Sequence, residues 1–255
     1  MIICRFTTKN TPAPRYGLLE RDEIQPLAGA PFADIITVGA AIPLTDAQLC
    51  APVAPTKIVC VGRNYRDHAA ELGNPMPPEP LLFLKAPSSL IGPGENIVVP
   101  PVSAQVEHEG ELGVVIGRIA SRLAETEDPL DYVLGYTCVN DVTARDIQRQ
   151  DVQFTRGKSF DTFCPVGPYI VTGLNPLALD VTTRLNGQVK QNGNTSAMAF
   201  DAPYLIRYIS HAMTLFPGDI IATGTPAGVS RMLSGDIVEV EVKGVGILQN
   251  QVVAL

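Results

Sequence analysis

Twenty-two prolines and twenty-two glycines punctuate this chain of 255 residues. Proline fixes φ and removes a backbone donor, and glycine weakens the interior of helices and strands alike. Such a density favours short strands and loops over long helices. Hydrophobic residues make up 45% of the chain and charged residues 18%, which is enough apolar surface for a sizeable core. The length fits one large domain, or one domain with a small appendage.

The punctuation divides the chain. Residues 1–50 read as a small β-rich N-terminal subdomain, with apolar segments at 2–6 and 16–19 and one or two helical turns over Thr45–Cys50. The connector Ala51–Pro52–Val53–Ala54–Pro55 marks a boundary, and 56–255 is the main body. Lys57–Gly62 reads as a buried strand. Asn64 to Leu72 carries helical signals, with Asn64 as N-cap and Gly73 as the terminating glycine. Four prolines in Asn74–Pro80 exclude regular structure there. Asn186–Gly187 signals a hairpin. Asp201–Phe216 reads as a helix with Leu205, Ile206, Ile209, Met213 and Phe216 on one face. Ile237–Val242 alternates valines with glutamates, a half-buried strand. The fold class expected is mostly β, mixed α+β, with two or three helices. The regular alternation of a doubly wound α/β fold is missing.

Charge and cysteines narrow the function. The net charge is −7, tryptophan is absent, and Lys and Arg are nowhere concentrated. Nucleic acid and anionic membrane are poor partners for such a chain. An anionic substrate stays possible, because a bound cation inverts the local field. The five cysteines, Cys4, Cys50, Cys60, Cys138 and Cys164, are odd in number, widely spaced and without a Cys-x-x-Cys pair. They suggest neither a disulfide framework nor a structural zinc site, and they fit a reducing cytoplasm. The amino terminus has no basic-then-apolar leader, and no apolar run reaches membrane-spanning length.

Chemistry enters with Val106–Glu107–His108–Glu109–Gly110–Glu111, which runs into the apolar strand Leu112–Ile116. Residues two apart on a strand share a side, so Glu109 and Glu111 aim at one spot, with Glu107 as a third candidate. Like charges that close raise a pKa or require a cation, and a hard divalent ion suits oxygen ligands. A solvated strand face is the plainer alternative, and it is the reading accepted for Glu239 and Glu241. Asp141 ends a second apolar strand and could complete a three-carboxylate set; alternatively Asp141 or Thr143 caps a helix. Arg145 and Asp146 read as an ion pair or capping contact. His68 and Glu71 lie three apart on the short helix, where a carboxylate can fix the imidazole tautomer for proton transfer. Thr223–Gly224–Thr225–Pro226–Ala227–Gly228 offers backbone N–H groups and hydroxyls to an anion, but matches no nucleotide fingerprint. Lys158 stands alone among small and apolar residues and could steady an oxyanion.

In this order, Val61–Gly62–Arg63–Asn64–Tyr65–Arg66–Asp67–His68, Phe83–Leu84–Lys85, His108–Glu109–Gly110–Glu111–Leu112–Gly113, Asn140–Asp141–Val142–Thr143–Ala144–Arg145–Asp146, Gly157–Lys158–Ser159–Phe160–Asp161 and Thr223–Gly224–Thr225–Pro226 resemble the fumarylacetoacetate hydrolase superfamily. The resemblance covers about residues 56–255. It implies a β-sandwich roll with a few short helices, a homodimer, and Mg²⁺ or Mn²⁺ on Glu109, Glu111 and Asp141. It implies catalytic roles for His68, Glu71 and Lys158, and substrate contacts from Arg63, Tyr65, Gln148 and Thr225. The substrates it implies are 2-oxo acids or their enols. One outcome is isomerisation or decarboxylation of 2-hydroxyhepta-2,4-diene-1,7-dioate-type dicarboxylates in aromatic-acid breakdown. Others are hydrolysis of acylpyruvates and decarboxylation of oxaloacetate; a non-catalytic metal-binding protein on the same fold is the alternative of another class.

Overall fold

The computed structural model describes all 255 residues. The chain is mostly β. Its largest sheet has twelve strands, ten of them along a path from Ile42–Pro43 through Glu23–Pro26, Thr11–Glu20, Ile2–Thr8, Cys164–Val171, Val133–Asn140, Gly110–Ile116, Ile220–Ala222 and Ile58–Gly62 to Leu81–Lys85, while Ala47–Leu49 pairs with Ile2–Thr8 and Leu90–Ile91 with Cys164–Val171 off that path. A five-stranded sheet, ordered Gln188–Asn194, Asp180–Leu185, Ile237–Val242, Gly246–Ala254 and Ile97–Val99, packs against it. Pairing is mixed: Ile58–Gly62 runs parallel to Ile220–Ala222 and antiparallel to Leu81–Lys85.

The central strand explains its own composition. Every residue of Gly110–Ile116 is buried. Leu112, Val114 and Ile116 enter the core between the two sheets, with Val240, Val242, Leu205 and Ile209. Val115 enters a second core on the other face, with Ile3, Val53 and Ile170. A strand covered on both faces reads as a continuous apolar run instead of an alternating one. Ile237–Val242 shows the other case, with Val238, Val240 and Val242 buried and the intervening glutamates half-buried.

Residues 1–50 and the body share one sheet. Ile2 and Ile3 pair with Val171 and Ile170. Ala51, Pro52, Val53 and Pro55 of the connector are buried. The expected helical turns at Thr45–Cys50 are replaced by a 3₁₀ turn at Leu44–Asp46 and a strand at Ala47–Leu49, because that strand finds an edge on Phe6–Thr8.

There are four α-helices, three of them short: α1 Arg66–Glu71, α2 Arg145–Gln150, α3 Thr155–Lys158 and α4 Ala202–Ala212. Asn64 does not cap α1. Its carboxamide is buried and donates to Phe200 O at 2.9 Å and Thr223 O at 2.7 Å, so tertiary partners displace the local cap. Gly73 adopts φ +67, the left-handed conformation that ends a helix. Asp201 caps α4 by accepting from Tyr204 N–H. The helix stops four residues before Phe216, where Leu215 turns away to bridge Ala120. Phe216 is exposed, beneath the Lys57 ammonium. Asn186 and Gly187, at φ 52 and 76, make the tight hairpin between Asp180–Leu185 and Gln188–Asn194. No helix is long and apolar enough to cross a membrane.

Candidate metal centre

Three carboxylates meet at one point. Glu109 lies just before the Gly110–Ile116 strand, Glu111 is its second residue, and Asp141 follows Val133–Asn140, the neighbour in the sheet. Gly110 pairs with Asn140 in register, which sets the acids of the two strands side by side. All three are buried, and one oxygen from each lies within 4.8 Å of the others. Glu107, two residues earlier, is drawn elsewhere: it accepts from Arg145 Nε at 2.8 Å and Gln105 Nε2 at 2.6 Å.

Cations interleave with the acids. Lys158 Nζ, buried at the end of α3, donates to Glu109 Oε2 and Asp141 Oδ2, each at 2.7 Å. Lys85 Nζ, fully buried at the end of Leu81–Lys85, donates to Asp141 Oδ1 at 2.6 Å. Arg145 bonds Glu109 as well as Glu107. Burial opposes the charged form of Glu109, but Lys158 and Arg145 outweigh it and hold the carboxyl below the usual range. Burial likewise opposes the charge on Lys158, and Asp141 and Glu109 reverse the balance and raise its pKa.

Glu111 is the exception. Burial, then Asp141 and Glu109, push its carboxyl well above the ordinary range. Its carboxylate accepts only the Gly224 N–H, at 2.7 Å, and it has no ion-pair partner. A buried carboxylate repelled by two others and lacking a cation is what a hard divalent ion would satisfy, so the donor set fits Mg²⁺ or Mn²⁺.

The triad opens into a cleft of about 380 Å³ that is also lined by Arg63, His68, Arg145, Gln148, Arg149, Lys158 and Thr225. His68 Nδ1 lies 3.2 Å from Glu71 Oε2, and both Glu71 oxygens accept the Gly228 N–H, at 3.1 and 3.2 Å. Gln148 accepts from Arg145 at 2.7 Å. The Thr225 hydroxyl is committed, donating to Gly110 O at 2.8 Å and accepting from Gln191 Nε2 at 2.6 Å. Tyr65 borders an adjoining cleft with Arg66 and Pro226. Its hydroxyl is buried without a partner, and burial, then Glu111, raises its pKa. Neither Asp141 nor Thr143 caps α2 through its side chain. Asp146 accepts from Ser103 and Ala104 and does not pair with Arg145.

Three participants escape sequence reasoning. Lys85 stands in the Phe83–Leu84–Lys85 segment of the family resemblance, but a lysine closing an apolar strand signals no role. Arg145 looks like a partner for Asp146 until the fold brings Glu107 and Glu109 to it. Gln191 sits in the polar run Gln188–Asn194, which offers no signal at all.

Comparison with known proteins places the chain in a family. The family described as "Fumarylacetoacetate (FAA) hydrolase C-terminal" matches residues 57–253, and one described as "Rv2993c-like, N-terminal" matches residues 1–52. Oxaloacetate tautomerase YisK of Bacillus subtilis is 44% identical over 82% of this chain and 74% of its own. The crystal structure of 2-hydroxyhepta-2,4-diene-1,7-dioate isomerase from Mycobacterium marinum superposes with a TM-score of 0.90, at 40% identity over 100% of this chain and 98% of that one. Maleylpyruvate hydrolase from Sphingobium sp. SYK-6, in complex with manganese(II) and pyruvate, superposes with a TM-score of 0.82, at 34% identity over 100% of this chain and 99% of that one. With nearly the whole body matched and the acids drawn together in the fold, the chain belongs to the fumarylacetoacetate hydrolase family, whose members include isomerases, tautomerases and hydrolases.

Proposed function

We propose that this protein is a Mg²⁺- or Mn²⁺-dependent enzyme of 2-oxo dicarboxylic acids and their enols. Its reaction is proton transfer along 2-hydroxyhepta-2,4-diene-1,7-dioate-type substrates, or decarboxylation of them, with an enolate common to both. The observation that carries the reading is the buried Glu109–Glu111–Asp141 triad, with Glu111 short of a cation, opening into a cleft that holds His68, Arg63 and Arg149.

A divalent cation held by the triad would supply Lewis-acid polarisation of the substrate's 2-oxo group. The side chains around it have separate tasks. Lys158 puts a buried positive charge beside the triad, where negative charge develops on the substrate. Glu71 accepts a hydrogen bond from His68 Nδ1–H, which leaves Nε2 free to accept or deliver a proton in the cleft. Arg63 and Arg149 offer guanidinium groups to the substrate's carboxylates. Arg63 does so from a left-handed backbone, φ 57, a strained conformation typical of functional positions. The likeness to an oxaloacetate tautomerase and to a dienedioate isomerase supports proton transfer as the outcome.

A second reading, hydrolysis of acylpyruvates, is favoured by the His68–Glu71 pair, which can equally activate water. One panel separates the two. Enolised oxaloacetate, a 2-hydroxydiene-dioate and an acylpyruvate are followed by enol absorbance and by NMR of products, with Mg²⁺, with Mn²⁺ and with EDTA. We expect metal-dependent loss of the enol, with or without release of CO₂, and no hydrolytic carbon–carbon cleavage. Glu109→Ala should lose both Mn²⁺ binding and turnover, and His68→Ala should lose about 10²–10⁴-fold in kcat. Mn²⁺ binding without turnover of any 2-oxo acid would overturn the enzymatic reading.

A further inference from the structure

Gln191 belongs to no motif, yet it is fully buried and touches both halves of the site. Its Oε1 accepts the Gly110 N–H at 2.9 Å and faces His108 Nδ1 at 3.1 Å. Its Nε2 donates to Thr225 Oγ1 at 2.6 Å and Pro226 O at 2.7 Å. A carboxamide has two donors and an acceptor oxygen with two lone pairs, so all four capacities are used. The orientation is unique. Turned over, the amide nitrogen would face the Gly110 N–H and its oxygen would face the Pro226 carbonyl. The same bond gives His108 its tautomer: Nδ1 carries the proton, and Nε2 accepts from Ser230 Oγ at 2.8 Å.

The partners decide what this amide can do. Gly110 is the residue between the two glutamates of the triad. Gln191 holds its N–H and Thr225 holds its C=O. No side chain fits at that position, since a Cβ on Gly110 would lie 2.0 Å from Thr183 Oγ1. The loop that Gln191 grips at Thr225 and Pro226 holds Glu111 through Gly224 N–H and holds Glu71 through Gly228 N–H. Gly228 can be no other residue: its φ is +106, and a Cβ there would meet Lys190 O at 1.9 Å. A continuous set of bonds therefore runs from Glu109–Gly110–Glu111 through Gln191 and the Thr225–Gly228 loop to Glu71 and His68.

We propose that Gln191 is a positioning residue that sets the triad and the His68–Glu71 pair in one geometry. The proposal rests on the metal-dependent reading above. Hydrogen bonds one step out from a metal site orient its ligands, and their removal costs about 10–100-fold in metal affinity or activity. A purely structural amide would lower the melting temperature and leave Mn²⁺ affinity unchanged well below that temperature.

The test uses the full chain and Mn²⁺ alone, with free Mn²⁺ read by its EPR signal. Gln191→Met keeps the volume and removes all four bonds. It should weaken Mn²⁺ binding by about 10-fold or more at a temperature where circular dichroism shows it folded. Should that variant fail to fold, Thr225→Val breaks the same junction at the loop, and Thr225→Ser, which keeps the hydroxyl, should restore affinity. A second readout is kcat for the best substrate of the panel. Gln191→Met should cost less in a Glu71→Ala background than in wild type, because the path to His68 is then already cut. Mn²⁺ affinity equal to wild type in the folded Gln191→Met variant, or in Thr225→Val, overturns the proposal while leaving the metal centre intact. A wild-type chain that binds no Mn²⁺ removes the metal-dependent reading and this one with it. Turnover of no 2-oxo acid, with the affinity losses as expected, removes the enzymatic reading alone.

Discussion

The Lys158 ammonium has only carboxylates for hydrogen-bond partners, Glu109 and Asp141, and it is buried with them. Removing one member of a buried ion pair leaves a charge without compensation, which costs about 3–5 kcal/mol. Arg145 still reaches Glu109 and Lys85 still reaches Asp141, so the lower end of that range applies. Lys158→Met should lower stability by about 3 kcal/mol in urea unfolding with EDTA present. Saturating Mn²⁺ should recover part of the loss, because a bound cation compensates the same acids. An unchanged urea midpoint would mean that Lys158 is not a charge partner of the triad. Residue types carried much of this site in the sequence: acids entering an apolar strand announce an unusual environment. The identity of their partners did not, because Lys85 and Arg145 reach them only through tertiary folding.

Among the elements, α1 shows where local rules yield. Asn64 precedes the helix as an N-cap should, but it donates to Phe200 O and Thr223 O and accepts the Phe200 N–H at 2.9 Å. This ties the start of α1, and so His68, to the loop that carries Thr225. The two roles separate by substitution. Aspartate is a good N-cap, so Asn64→Asp would be nearly neutral for a capping residue. A carboxylate in this position has lost both donors and brings a buried charge, so Asn64→Asp should destabilise by about 2 kcal/mol or more, as Asn64→Ala should. Chemical denaturation of both variants checks this. The hairpin at Asn186–Gly187 and the strand at Ile237–Val242 needed no such correction, because turn chemistry and alternation are local properties. The helix over 201–216 was half local: its cap and apolar face were readable, and its end at Ala212 was set by the Ala120–Leu215 bridge.

At the scale of the whole molecule, Asp219 ties Thr56 and Lys57, the first residues after the connector, to the distant end of the body. It is fully buried and accepts from Thr56 N, Thr56 Oγ1, Lys57 N, Lys57 Nζ and Phe216 N. Burial raises its pKa, but the Lys57 ammonium and the backbone donors outweigh this and hold it below the ordinary 3.8. A group depressed in the folded state stabilises the fold fully above its unfolded pKa, and the contribution vanishes as pH falls through the folded value. The wild-type urea midpoint should therefore fall below about pH 4 more steeply than that of Asp219→Asn. Parallel curves for the two proteins would rule out Asp219 as the source. The family resemblance implies a homodimer, which we propose for this protein, and light scattering that returns the mass of one chain would count against it.

By itself, the sequence determined the short-strand, mostly β character of the chain, the positions of its turns, and the three acids, helix pair and lysine around which a site could form. These follow from φ restrictions, alternation and residue chemistry, all of which act over a few neighbouring residues. Only the tertiary structure decided that the first fifty residues extend the body's own sheet, that Glu107 leaves the triad for Arg145, and that Glu111 is the acid without a cation. It alone brought Gln191 to Gly110 across 81 residues of chain. Burial, charge pairing and the saturation of a buried amide depend on which distant segments meet, and no local pattern carries that information.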